Sequence, residues 1–170
     1  MKRVIILGSS GAGKSTFARK LRDKTGLPLY CLDMIWHRPD RTTISREEFD
    51  EKLSEILQKD CWIIDGNYSR TIEMRLKYCD TAFLLDYPLE VCLEGAKSRI
   101  GKQREDLPWL EEELDEDFRQ WIIDFPKTKL PEIYRMLEEH GTGKEIHVFH
   151  SREEADQFLE SYRKKSDDDE

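Results

Sequence analysis

The fold class this sequence predicts is α/β, an open parallel sheet with helices on both faces, and three observations carry that prediction. Short apolar runs alternate with amphipathic stretches along most of the chain. The first run, Val4-Ile5-Ile6-Leu7, feeds directly into Gly8-Ser9-Ser10-Gly11-Ala12-Gly13-Lys14-Ser15, which reads G-x-x-x-x-G-K-S. Three of the runs end on an acid, Asp33, Asp65 or Asp86. Right-handed crossovers leave few other topologies for such an alternation, so a three-layer α/β/α domain with a five-stranded parallel sheet is expected. Loop and acids should then converge at the carboxyl ends of the strands, where open sheets of this class bind their ligands.

The glycine-rich stretch is a phosphate-binding loop in its expected place. Its glycines let the backbone curl so that successive N–H groups point at an anion, and the helix that follows turns its positive end to the same point. Gly8, Ser9, Ser10, Gly11, Ala12, Gly13, Lys14, Ser15 and Thr16 are therefore expected to bind a nucleoside triphosphate, ATP, with Lys14 reaching the β- and γ-phosphates. Ser15 offers a hydroxyl to Mg2+, a hard cation that keeps most of its waters. Asp65, an acid closing an apolar strand, is the second expected metal contact, directly or through water.

Each element has its own justification. Strand one, Arg3 to Leu7, is a β-branched run of the kind buried on both faces of a parallel sheet, and so belongs at the centre. The helix opened by the loop carries Phe17, Ala18 and Leu21 on one face and stops near Gly26-Leu27-Pro28. Strand two, Leu29 to Leu32, ends at Asp33, and residues 34 to 44 have loop composition with a Pro39-Asp40 turn. That loop also carries Trp36, His37, Arg38 and Arg41, an unusual cluster for a plain connector. Ser45-Arg46-Glu47-Glu48 is a capping box for a helix whose Phe49, Leu53, Ile56 and Leu57 recur at helical spacing.

Strand three is Trp62-Ile63-Ile64, closing on Asp65, and a short helix from about 70 to 78 leads to strand four, Thr81 to Leu85, before Asp86. Pro88 opens the next helix, with Leu89, Cys92, Leu93 and Ala96 inward. A basic segment follows, with Lys97, Arg99, Lys102 and Arg104 around Gly101. Pro108 is expected to open a longer helix whose stripe runs Leu110, Leu114, Phe118, Trp121, Ile122 and Phe125, broken at Phe125-Pro126-Lys127 and resumed from about 131 to Gly141. Strand five is Ile146 to Phe149, and Ser151-Arg152-Glu153-Glu154 caps a last helix with Ala155, Phe158, Leu159 and Tyr162 toward the sheet.

At 170 residues the chain suits one domain, taken as residues 1 to 165, with 38% charged and 10% aromatic residues excluding a disordered composition. The net charge of −8 gives no general attraction to nucleic acid or to an anionic membrane, and part of it lies in the tail Asp167-Asp168-Asp169-Glu170, which is expected to fray. Cys31, Cys61, Cys79 and Cys92 stand singly, without a C-x-x-C pair or a secretory signal, and read as reduced core thiols of a cytoplasmic protein. His147 and His150 have zinc-like spacing but no Glu or Cys alongside, so zinc is not expected.

The loop at 8 to 15, the Leu32-Asp33 strand end, the run Trp62-Ile63-Ile64-Asp65-Gly66-Asn67-Tyr68-Ser69-Arg70 and the segment Trp121 to Lys127 resemble the bacterial topology modulation proteins (FlaR-like), which are adenylate-kinase-like P-loop proteins. The likeness extends to about residue 160, and the D-G-N-Y-S-R run is its most specific part. It implies a nucleoside-monophosphate-kinase type of fold, binding of ATP and Mg2+, a helical acceptor insertion at about 34 to 60 and a lid at about 99 to 126. The basic segment resembles the lid that brings arginines onto the phosphates, with Arg99 and Arg104 the candidates. The resemblance also puts donor-base selection near Ser151-Arg152. Departures are visible too: Arg70 lies one position later than in the D-G-F-P-R run of adenylate kinases, and Ile35 replaces the second acid of the shikimate-kinase D-x-D pair.

These parts suit a small-molecule or nucleotide kinase, because phosphoryl transfer asks mainly for positioning and electrostatic stabilisation. Lys14, Asp33, Arg99 and Arg104 are the expected catalytic residues, with Asp33 taking the acceptor's proton. Trp36, Arg38, Asn67, Tyr68 and Arg70 are expected to form the acceptor pocket, the two arginines suggesting an anionic group on an otherwise unidentified small molecule. Plainer roles stay open: packing for Trp36, solvation for Arg38, orientation of metal-bound water for Asp33. Two other classes stay open as well, an ATP-binding regulator of DNA topology or transcription, and a P-loop NTP hydrolase. The first lacks a basic face or a DNA-reading motif.

Overall fold

The computed structural model describes residues 1–162; the acidic tail lies outside them. Five strands, β1 (Arg3–Gly8), β2 (Leu29–Cys31), β3 (Trp62–Asp65), β4 (Thr81–Leu85) and β5 (Glu145–Phe149), form one all-parallel sheet in the order β2-β3-β1-β4-β5. The class is the α/β fold expected. β1 is central because it is apolar on both sides. Its Val4 and Ile6 enter one core with Ile63, Phe83 and Leu85, while Ile5 and Leu7 enter the other with Trp62, Ile64 and Leu84.

The first of these cores is closed by α1 (Lys14–Thr25), α5 (Leu89–Ser98) and α7 (Arg152–Ser161), through Phe17, Leu21, Cys92, Ala96, Ala155 and Leu159. The second is closed by α2 (Leu32–Trp36), α3 (Arg46–Leu57), α4 (Ile72–Tyr78) and part of α6 (Glu116–His140). Caps set these lengths. Ser45 accepts from the Glu48 N–H at 3.1 Å to start α3, Ser151 accepts from the Glu154 N–H at 3.2 Å to start α7, and Gly26, at φ 74°, ends α1.

Two expectations are corrected. β2 stops at Cys31, and Leu32 to Trp36 form a single helical turn, so Asp33 sits in the first turn of α2 and not at a strand end. The fully buried Leu32, seated under Gly66, pulls the chain into that turn. Residues 34 to 44 are more ordered than a loop, since α2 is followed by an antiparallel bridge between His37 and Thr43.

The second correction concerns the long helix. No helix starts at Pro108: α6 begins at Glu116, where the Asp115 carboxylate accepts from the Asp117 N–H at 2.7 Å, and Leu110 is left exposed. Nor does Pro126 break it, because α6 runs for 25 residues through both Pro126 and Pro131. Each interior proline removes a backbone hydrogen bond, at a cost of about 3 kcal/mol. Burial of Ile122, Phe125, Ile133 and Leu137 along the same helix offsets that cost.

Candidate active site

The residues at the carboxyl ends of β1, β2 and β3 enclose a cleft of about 610 Å³. Ser10, Lys14 and Ser15 line it from the phosphate loop, Asp33 from α2, and Asp65, Asn67 and Tyr68 from the end of β3. Arg99 and Arg104 reach it from the segment after α5. Of the acids expected to converge, Asp33 and Asp65 do. Asp86 does not: it accepts a hydrogen bond from the Tyr134 hydroxyl and lines a separate cavity of about 450 Å³ behind Ser9.

The loop owes its shape to a close approach. Gly11 lies at φ 81° against α5, where an added Cβ would meet the Cys92 carbonyl oxygen at 1.9 Å, and a Cβ on Gly95 would meet the Gly11 oxygen at 2.1 Å. Only glycine fits at either position. Gly13 and Thr16 face a shallower depression of about 350 Å³ shared with Arg152, on the side where donor-base selection is expected.

Lys14 donates to the Ser9 carbonyl at 3.1 Å, and its burial lowers its pKa while Asp65 and Asp33 pull it back up. Asp65 is 7% exposed, and burial raises its pKa to about 7 against the pull of Lys14. Its Oδ1 is buried with no hydrogen-bond partner. An orphan carboxylate oxygen in the cleft that Ser15 also lines suits a hard cation such as Mg2+. No group of three or more His, Cys, Asp or Glu side chains is placed to hold a metal ion among the described residues.

Asp33 is oriented by Tyr68, whose hydroxyl donates to Asp33 Oδ1 at 2.6 Å. Burial, with Asp33 beside it, pushes the Tyr68 pKa far up, so the phenol stays a donor. Phe49 stacks on the Tyr68 ring at 5.2 Å, and Trp36 meets both rings edge-on. Trp36 thus buttresses Tyr68 and does not line the cleft.

The other expected acceptor residues have found partners. Asn67 turns its amide onto the loop, with Oδ1 accepting from the Gly8 N–H at 3.0 Å and Nδ2 donating to the Gly8 carbonyl at 2.6 Å. Arg70 lines the cleft but forms a two-pronged pair with Asp50 of α3, at 2.9 and 2.7 Å. Arg38 is half-exposed beside Glu48 at 3.9 Å and stays outside the cleft. After α5, Arg104 is held by Asp106 and Glu111, whereas the buried Arg99 Nε has no partner.

Residue types and spacing left several site residues unnoticed. Arg75 is fully buried and donates to the Thr71 hydroxyl and to the Gly66 and Asn67 carbonyls, pinning the turn after β3. Asp106, Trp109 and Lys129 also line the cleft. Trp109 was legible as an aromatic beside a basic segment, but its contact with His37, at 5.0 Å between ring centroids, joins residues far apart in the chain and has no local signal.

Comparison with known proteins fixes the fold. A shikimate kinase from Acinetobacter baumannii, solved with shikimate, superposes with a TM-score of 0.62 over 94% of this chain and 89% of that one, at 18% identity. A sugar kinase from a Janibacter species gives 0.55 over 94% and 91%, also at 18% identity. This is the P-loop kinase fold. In sequence, adenylate kinases match part of the chain: that of Thermotoga neapolitana is 33% identical over 94 residues, 54% of this chain and 42% of the relative. That of Kosmotoga olearia is 32% identical over 108 residues, 59% and 48%. The chain spans less than half the length of these curated relatives. No protein-family model matches it.

Proposed function

We propose that this chain is a small-molecule kinase that transfers the γ-phosphoryl group of ATP, with Mg2+, to a hydroxyl group. The observation that carries the reading is the Asp33 carboxylate, steered by Tyr68 and lining the same cleft as Lys14 and Ser15. A hydrolase needs no acceptor cleft, whereas an acid held by a dedicated donor suits proton abstraction from an alcohol. Within this reading the D-G-N-Y-S-R run supports a place in the topology modulation family, and the all-parallel P-loop kinase fold supports chemistry on the small molecule itself.

Loop amides and Lys14 hold the donor phosphates, and Arg99, with its unpartnered Nε, is the cation that meets the charge developing on the transferred group. Ser15 and Asp65 would hold Mg2+, which would supply positive charge to offset that of the phosphates. The acceptor oxygen forms a bond to the γ-phosphorus while the bond to the bridging β–γ oxygen breaks. ADP leaves with that electron pair, and the hydroxyl proton passes to Asp33.

Asp33→Asn tests the reading. ADP release stimulated by acceptor is expected to fall at least about 100-fold, the scale of a lost general base, with ATP affinity by calorimetry unchanged. Equal loss of ATP binding, or full acceptor-stimulated turnover, would refute the assignment.

A further inference from the structure

Resting on the kinase reading, we infer that the acceptor is an uncharged alcohol carried on a flat ring, of nucleoside or aromatic-alcohol chemistry, and that it is held by stacking in the part of the cleft walled by α6. Two independent features point there. The first is the wall itself. Phe118, Trp121 and Phe125 follow one another at i, i+3 and i+7, so one face of α6 turns aromatic rings into the cleft. Trp109, Tyr68 and His37 add three more rings. Trp121 keeps 43% of its surface exposed, unusual for a tryptophan within a cavity wall and suited to a platform on which a planar group stacks.

The second feature is how the cations are occupied. Five line the cleft: Lys14, Arg70, Arg99, Arg104 and Lys129. Lys14 belongs to the phosphate loop and Arg99 to the transferred group. Arg70 is taken by Asp50, Arg104 by Asp106 and Glu111, and Lys129 lies over the Trp121 ring at 5.7 Å. No guanidinium fork is left for a phosphate or carboxylate on the acceptor, which such anions ordinarily recruit. Asp33, which lines the same cleft, adds a carboxylate and no cation to the acceptor's side. The expectation of an anionic acceptor rested on Arg38 and Arg70, and both are turned toward carboxylates of α3.

The test uses the full chain with ATP and Mg2+ and two readouts, phosphorylated product by mass spectrometry and quenching of tryptophan fluorescence. One arm contains ribo- and deoxyribonucleosides and a second contains pyridoxine and benzyl alcohol. Controls are the matching nucleoside 5′-monophosphates, glucose, glycerol and shikimate. Phosphorylation of a compound in either arm, at a kcat/KM about 100-fold above every control, is expected, and the responding arm names the source of the ring. Trp121→Ala should raise the KM for that compound about 5- to 100-fold, the effect of losing one stacking face, with ATP affinity held, and Trp121→Phe should restore it. Preference for a monophosphate, a sugar or shikimate overturns the ring acceptor, as does a panel with neither quenching nor product. Quenching by a nucleoside or aromatic alcohol without transfer refutes the kinase reading and upholds the ring site. Transfer to glucose or glycerol without quenching by ring compounds does the reverse.

Discussion

At the residue scale the site is governed by who is left without a partner. Asp65 carries one such group, and burial raises its pKa from 3.8 to about 7. A raised carboxyl pKa means that the folded protein holds the proton more tightly than the unfolded chain. The associated stabilisation is fully present below about pH 4 and is lost as pH rises through about 7. Without metal or nucleotide, the stability advantage of Asp65→Asn over the natural protein is therefore expected to grow between pH 5 and pH 8.5 in urea titrations. A constant difference across that range would contradict the burial argument. Asp65, Lys14 and Ser15 could be named from spacing alone, because a strand end fixes a backbone position. Arg70 and Asn67 could not be assigned in the same way. Spacing brings both to the cleft rim, but the Asp50 carboxylate lies one helix away and the Gly8 amide one strand away, and nothing local reports either.

At the element scale, α5 acts as a mould for the phosphate loop. Gly95→Ala should push its methyl into the Gly11 oxygen, now 2.1 Å from that position, costing about 1–3 kcal/mol of stability as overpacking does. ATP affinity should fall with it; calorimetry on a folded, destabilised variant with unaltered affinity would dismiss the mould. The segment between α5 and α6 is braced within itself by Arg104 to Asp106 and Glu111, and from its middle Trp109 meets His37. If Arg99 meets the phosphates as proposed, amide exchange across residues 99–115 should slow on adding a two-substrate mimic with Mg2+. Protection confined to the phosphate loop would argue that this segment is not a lid. The sequence marked that segment by its basic residues but misplaced the helix after it. Pro108 looked like a helix start and Pro126 like a break, and the Asp115 cap was lost among acids that resemble any solvated face. Long-range burial of Phe125 and Ile133 decided the outcome.

For the molecule as a whole, the alternation of strands and helices determined the layers, and the chain's net charge of −8 sets its outlook on other polymers. Duplex DNA binding near physiological salt should be undetectable in gel shifts, since such affinity comes from displacing counterions with cationic side chains. A tight, salt-sensitive shift would restore the regulatory alternative. The strand order carries a different consequence, for synthesis on the ribosome. β1 lies at the centre of the sheet and precedes both of its neighbours in the chain, and they come much later: Arg3 pairs with Trp62, and Val4 with Thr81. The nascent chain must carry an unpaired Val4-Ile5-Ile6-Leu7 run until β3, at Trp62–Asp65, and then β4, at Thr81–Leu85, have followed it. Exposed apolar strands invite aggregation, so shielding of that run until β3 and β4 have been made is expected to raise the yield of folded protein.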